Sequence, residues 1–78
     1  MRKGGEQMRD WLKQKRTEKS LTMAEMAAQL DLTESYYSRI ENGDRQKKMD
    51  IALLCKLSDV LGMATDEIIL LERTEAGQ

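Results

Sequence analysis

The stretch LTMAEMAAQLDLTESYYSRIENG, residues 21–43, holds two helix starts separated by a very short turn. Thr22 followed by Glu25 has the spacing of a capping box, in which hydroxyl and carboxylate each take the other residue's backbone N–H. Leu21 and Met26 stand at the hydrophobic-staple positions around it, and Leu32, Thr33 and Tyr37 repeat the arrangement. Only about residues 31–33 remain to join the two helices, and Asn42-Gly43 then offers a left-handed stop. A chain punctuated in this way is committed to two short helices joined tightly, and the rest must pack around that pair.

The flanking segments also read as helices. Met8, Trp11 and Leu12 share a face at spacings of three and four, so a first helix is expected over residues 6–19, after a loose arm at residues 1–5 that contains Gly4-Gly5. Met49, Asp50 and Leu54 supply staple, cap and staple partner for IALLCKLSDVL, which closes at Gly62. A fifth helix, DEIILLE, is expected from about Thr65 with acids in its first turn, and residues 73–78 are expected to fray. Proline and phenylalanine are absent, whereas Leu, Met, Ala, Glu, Lys and Gln are plentiful, so the fold class is all-α. With 78 residues the chain is near the size at which one core barely suffices; a single domain over 6–72 is expected, and oligomerisation is a route to further burial.

Several function classes fall away. One cysteine and no histidine leave no intrachain disulfide framework and no Cys/His zinc site. Without a glycine-rich phosphate loop either, no nucleophile, base and oxyanion site can be assembled, so no enzyme, metal or cofactor is expected. Cys55 is expected to be packed or half-packed, with the methionines filling core. MRKGGEQMRD lacks the apolar core of a signal peptide and no apolar run is long enough to span a bilayer, so a cytoplasmic protein without a membrane partner is expected. The net charge of −1 conceals a polarity: residues 1–49 hold eleven Lys/Arg against eight Asp/Glu, and residues 50–78 hold two against six. Such a chain can offer phosphates a basic face and keep its acidic part turned away.

The residue 21–43 stretch resembles the lambda-repressor-like (Cro and phage-repressor, or XRE) helix-turn-helix family. WLKQKRTEK and LCKLSDVLGMATDEI are similar to that family's first and last helices, so the resemblance covers roughly residues 8–71, with SRIENG its most specific part. It implies a compact five-helix domain in which the second and third helices form the helix-turn-helix and the third lies in the major groove of double-stranded DNA. Glu34, Ser35, Tyr36, Ser38 and Arg39 would then face base edges. Arg39 can donate two hydrogen bonds to guanine, Glu34 can accept from cytosine N4, and Tyr36 would lie near the backbone or a thymine methyl, with Tyr37 and Ile40 turned inward. Phosphates would fall to Thr22, Met23, Arg16, Asn42, Arg45, Lys47 and Lys48. An ion pair between Arg16 and Glu41 would set the angle of the third helix.

Three departures from the family pattern stand out. Met23 replaces a glutamine, leaving phosphate contact there to backbone N–H groups; Asp31 replaces a turn glycine; and the loop after Gly43 is about two residues longer and lacks a proline. Plainer readings stand beside the sharp ones. Tyr36 and Tyr37 also read as rim and core aromatics, Lys13, Lys15, Arg16 and Lys19 as a solvated face, and Glu34 as a first-turn charge favoured by the helix dipole.

Ile68, Ile69, Leu70 and Leu71 cannot all face one small core from a short helix. The surplus points to a symmetric homodimer through the fifth helix, which would place two third helices about 34 Å apart on a palindromic operator. The expectation is a sequence-specific transcription regulator, a small bacterial or phage repressor, with no small-molecule ligand evident and no room for a separate ligand domain. Alternatives are an antitoxin or other protein-interaction module, and a restriction-modification controller protein that activates as well as represses.

Overall fold

The computed structural model describes residues 8–76, the last two by backbone alone, so the expected arm at residues 1–5 lies outside the described residues. Five helices follow in order: α1 (Asp10–Glu18), α2 (Met23–Gln29), α3 (Glu34–Glu41), α4 (Ile51–Leu61) and α5 (Thr65–Ala76). None among the described residues is long and apolar enough to cross a membrane.

The starts of α2, α3 and α4 are set by side chains. Glu25 N–H donates to Thr22 Oγ1 at 3.1 Å while Thr22 N–H donates to Glu25 Oε1 at 2.9 Å, a complete capping box. Thr33 Oγ1 accepts from Tyr36 N–H at 3.1 Å, and Asp50 Oδ1 accepts from Leu53 N–H at 2.8 Å. The Leu53 bond, followed by the Gln46 amide, holds the Asp50 carboxyl below its ordinary range.

The ends of α1 to α4 share a second device. After each, a residue turns left-handed, and the N–H groups around it reach back to the last orphan carbonyls. At the end of α2, Asp31 has φ +67°, Asp31 N–H meets Ala28 O at 3.1 Å and Leu32 N–H meets Ala27 O at 2.8 Å. Gly43 and Gly62 serve α3 and α4 at φ +84° and +68°, and Ser20 serves α1 at +59°. A non-glycine residue therefore bears the left-handed strain twice, at Ser20 and Asp31.

The tight turn lays α2 against α3, the most extensive helix contact, while α4 packs on α5 and α1 on α3. Trp11, Leu12, Met26, Ala27, Leu30, Tyr37, Ile40, Leu53, Leu57, Leu61 and Ile68 form the one core. Lys56 Nζ adds a bond of 3.2 Å to Leu30 O, tying α4 to the end of α2.

Four expectations need correction. The first helix begins at Asp10 rather than residue 6, and Met8 is 41% exposed rather than packed. The reason is Arg9, whose N–H donates to Glu41 O at 2.8 Å and whose side chain turns inward, pulling this segment out of helical geometry. The fifth helix continues to Ala76, past the expected start of a tail at 73. Cys55 is exposed, because Leu53, Leu57 and Leu61 mark the buried stripe of α4 and residue 55 lies on the far side. Ile68 is fully buried within the chain and Leu71 packs partly against the core, so of the four apolar residues assigned to a dimer contact only Ile69 and Leu70 face outward.

Candidate nucleic-acid interface

The inner face of α3 is fixed by an ion pair and a phenol. Arg16 Nε donates to Glu41 Oε2 at 2.7 Å, Arg16 Nη2 approaches Glu41 Oε1 at 3.4 Å, and Tyr37 Oη donates to Glu41 Oε2 at 2.6 Å. Arg16 Nη1 donates to Leu21 O at 2.8 Å, so the same guanidinium also holds the turn before α2. All three side chains are buried. The hydrogen bond to Glu41 pushes the Arg16 pKa up, and burial, then the bond donated to Glu41, push the Tyr37 phenol well above its ordinary range. Arg16 therefore stays a cation and Tyr37 a neutral phenol throughout the neutral range.

With that face anchored, the opposite face of α3 is free. Glu34, Ser35 and Arg39 are exposed and Ser38 is half-buried beside them. These residues lie on one side of the helix, so it presents a carboxylate, two hydroxyls and a guanidinium in a single patch. Tyr36 departs from this group. It is half-buried, packs against the core, and its hydroxyl accepts from Gln46 Nε2 at 3.0 Å, so it braces the following loop.

The expected phosphate contacts divide. Asn42, Arg45, Lys47 and Lys48 are exposed at the end of α3 and in the loop beyond it. Arg16 is only 7% exposed, and its guanidinium is turned to Glu41 and Leu21 O. Thr22 is exposed, its hydroxyl accepting from Glu25 N–H and its own N–H donating to the Glu25 carboxylate. Met23 packs partly against the core, and only its backbone N–H, ahead of the first intrahelical bond, remains suited to an outside acceptor. Lys13 of α1 and Lys19 just after it are exposed, while Lys15 lies 3.8 Å from Glu18.

Comparison with known proteins places this geometry. The sequence profile of the helix-turn-helix family matches residues 12–68, which span α1 through the first turn of α5. The chain belongs to the lambda-repressor-like helix-turn-helix family. It is similar to the uncharacterized HTH-type transcriptional regulator YqaF of Bacillus subtilis (strain 168), 40% identical over 55 residues that cover 70% of each chain. In helix-turn-helix terms α2 is the supporting helix and α3 the second, presented helix.

One residue that positions this helix-turn-helix escaped the sequence reading. Arg9, 6% exposed, donates from Nη1 to Ile40 O at 2.7 Å and Arg45 O at 3.2 Å, and from Nη2 to Gln46 O. Its Nε and Nη2 meet Glu72 of α5 at 2.8 and 3.0 Å, and Trp11 Nε1 donates to the same carboxylate at 2.8 Å. A single guanidinium thus satisfies the end of α3, the basic loop and a carboxylate of the last helix. Gln46 completes the loop: at φ +58°, it bonds Asp50 as well as Tyr36. No local pattern announces Arg9, because its partners lie on other elements.

Proposed function

We propose that this chain is a DNA-binding transcriptional regulator of repressor type that recognises a palindromic operator as a dimer, with α3 in the major groove. Glu34, Ser35, Ser38 and Arg39 read base edges, Arg39 bidentate on guanine and Glu34 on a cytosine amine. Asn42, Arg45, Lys47 and Lys48 hold the flanking phosphates, with the N–H of Met23 adding to them. Ile69 and Leu70 join two copies. The family and the regulator relative support DNA binding and regulation.

The observation that carries the reading is the asymmetry of α3. Its inner side is fastened by buried Tyr37, Ile40 and Glu41, while its outer side exposes hydrogen-bonding groups with no apolar patch among them. Anchoring of this kind fixes donor and acceptor positions in advance, which base-edge recognition requires.

Selection of bound duplexes from a random library at near-physiological salt tests the proposal. An enriched palindrome, weakened about tenfold or more with relaxed preference at one position by Arg39→Ala, supports it. Binding without enrichment, seen only at low salt, moves the assignment to a protein-interaction module.

A further inference from the structure

Between the loop after α3, the start of α4 and one side of α5 lies an open groove of about 340 Å³. Met49, Leu54 and Ile69 supply its apolar surface. Lys47 and Lys48 border it from the loop and Arg73 from α5. These three cations are exposed, and none has an ion-pair partner among the described residues. Glu72 also lines the groove, but both its oxygens accept from Arg9 and one accepts from Trp11 as well, so its charge is already met. The charge left over is positive, in a chain whose net charge is −1.

The loop wall is set in advance. Arg9 bonds the carbonyls of Arg45 and Gln46, just ahead of the two lysines. Gln46 and Asp50 then close the segment that carries them, Asp50 N–H donating to Gln46 Oε1 at 2.9 Å and Gln46 Nε2 to Asp50 Oδ2 at 3.1 Å. A wall already ordered lowers the cost of receiving an occupant. Phosphates do not account for the whole arrangement, since they engage the cations and leave the apolar surface between them uncovered. That surface also continues along both helices: Ile51, one turn before Leu54, is 76% exposed, and Leu70, next to Ile69, is 63% exposed. An apolar strip longer than the groove, edged by unpaired cations, suits a helix laid across it better than a small ligand enclosed within it.

We propose that the groove receives an acidic amphipathic segment of a partner protein, with apolar side chains on Met49, Leu54 and Ile69 and carboxylates on Lys47, Lys48 and Arg73. Lys47 and Lys48 are also the residues assigned to phosphates, so the segment and DNA exclude one another and the partner releases the regulator from its site. The exclusion rests on the proposed function, whereas the docking surface does not.

Selection of displayed random peptides of about 15 residues, roughly four helical turns, on the full chain tests the proposal. Enriched peptides are expected to carry a net negative charge and large apolar residues three and four apart. Their synthetic forms are expected to shift the amide NMR signals of Lys47, Lys48, Leu54, Ile69 and Arg73, and to be displaced by a selected duplex. Arg73→Ala should weaken the peptide about fivefold or more and leave duplex binding unchanged, whereas Lys47→Ala with Lys48→Ala should weaken both. Circular dichroism on each variant establishes that the helices are intact.

A library that returns no peptide, or only neutral or basic ones, overturns the proposal. So do shifts confined to other residues, an Arg73→Ala chain that binds the peptide normally, and peptide and duplex bound together without loss. Decanoate held more tightly than any selected peptide would assign the groove to a small amphiphile, and concentration-dependent shifts of Lys47, Lys48 and Leu54 in the free chain would seat a second copy there; either result overturns the partner segment. If no duplex is enriched, the DNA reading and the exclusion fall together, while acidic peptides mapped to the groove uphold the docking surface.

Discussion

Arg9 and Glu72, separated by 63 positions, form a two-point contact at 2.8 and 3.0 Å that joins the segment before α1 to α5. Because the same guanidinium bonds the carbonyls of Ile40, Arg45 and Gln46, the contact is also what closes the loop carrying Arg45, Lys47 and Lys48. Arg9→Ala leaves the Glu72 carboxylate with only the Trp11 N–H and takes a side-chain donor from the carbonyls of Ile40, Arg45 and Gln46, and is expected to cost about 3 kcal/mol. Arg9→Lys recovers only part of this, since an ammonium cannot fork. Urea unfolding followed by Trp11 fluorescence measures both, and a loss below about 1 kcal/mol for Arg9→Ala would remove the contact from any structural role.

Tyr37 makes stability depend on alkaline pH. Its pKa is raised in the folded chain, so the native state keeps a proton that the unfolded chain gives up above pH about 10. The stabilisation is fully present below that pH and is lost as pH rises further, at about 1.4 kcal/mol per unit for this one proton. Tyr37→Phe is expected to lower stability near neutrality by about 1–3 kcal/mol, through the donor lost to Glu41, and to flatten the alkaline decline. Urea midpoints for both proteins between pH about 8 and about 11 provide the comparison. Parallel curves would exclude the phenol as the cause.

Asp31 is the residue whose replacement should help. It sits left-handed behind α2, where its charge also opposes the negative end of the helix dipole. Asp31→Gly removes both costs against a small gain in unfolded-chain entropy, giving a net stabilisation of about 0.5–1 kcal/mol. Thermal unfolding reads this as a rise of a few degrees in Tm. A fall instead would mean that the carboxylate has a favourable role in the turn.

The basic loop predicts a salt signature under the proposed function. Lys47→Ala or Lys48→Ala should each reduce the slope of log K against log salt by about 0.9 and weaken all duplexes alike. Arg39→Ala, by contrast, should change which duplexes are preferred. Equal slopes before and after the lysine substitutions would place those residues off the DNA.

The helix starts were legible in the sequence because their determinants are local. Thr22 with Glu25, Thr33, and Asp50 each meet partners within three residues, so spacing alone identifies them. The outer face of α3 was readable for a similar reason, since Tyr37 and Ile40 define the inner face by helical periodicity. What escaped was tertiary. Arg9 looks like one more surface cation until α3 and α5 converge on it. The division of Ile68 from Ile69 and Leu70 depends on how α5 rolls against the core, which a run of four apolar residues does not specify.

The Arg9 contact also has a bearing on synthesis. A chain made from its N-terminus has Arg9, the carbonyls of residues 40, 45 and 46, and the whole of α1 to α4 before it has Glu72. Until that late residue leaves the ribosome, the guanidinium that anchors the basic loop lacks its counter-ion. The nascent protein therefore completes this contact only once the fifth helix has been translated, and a message truncated before that helix yields a chain in which Arg9 never meets its carboxylate.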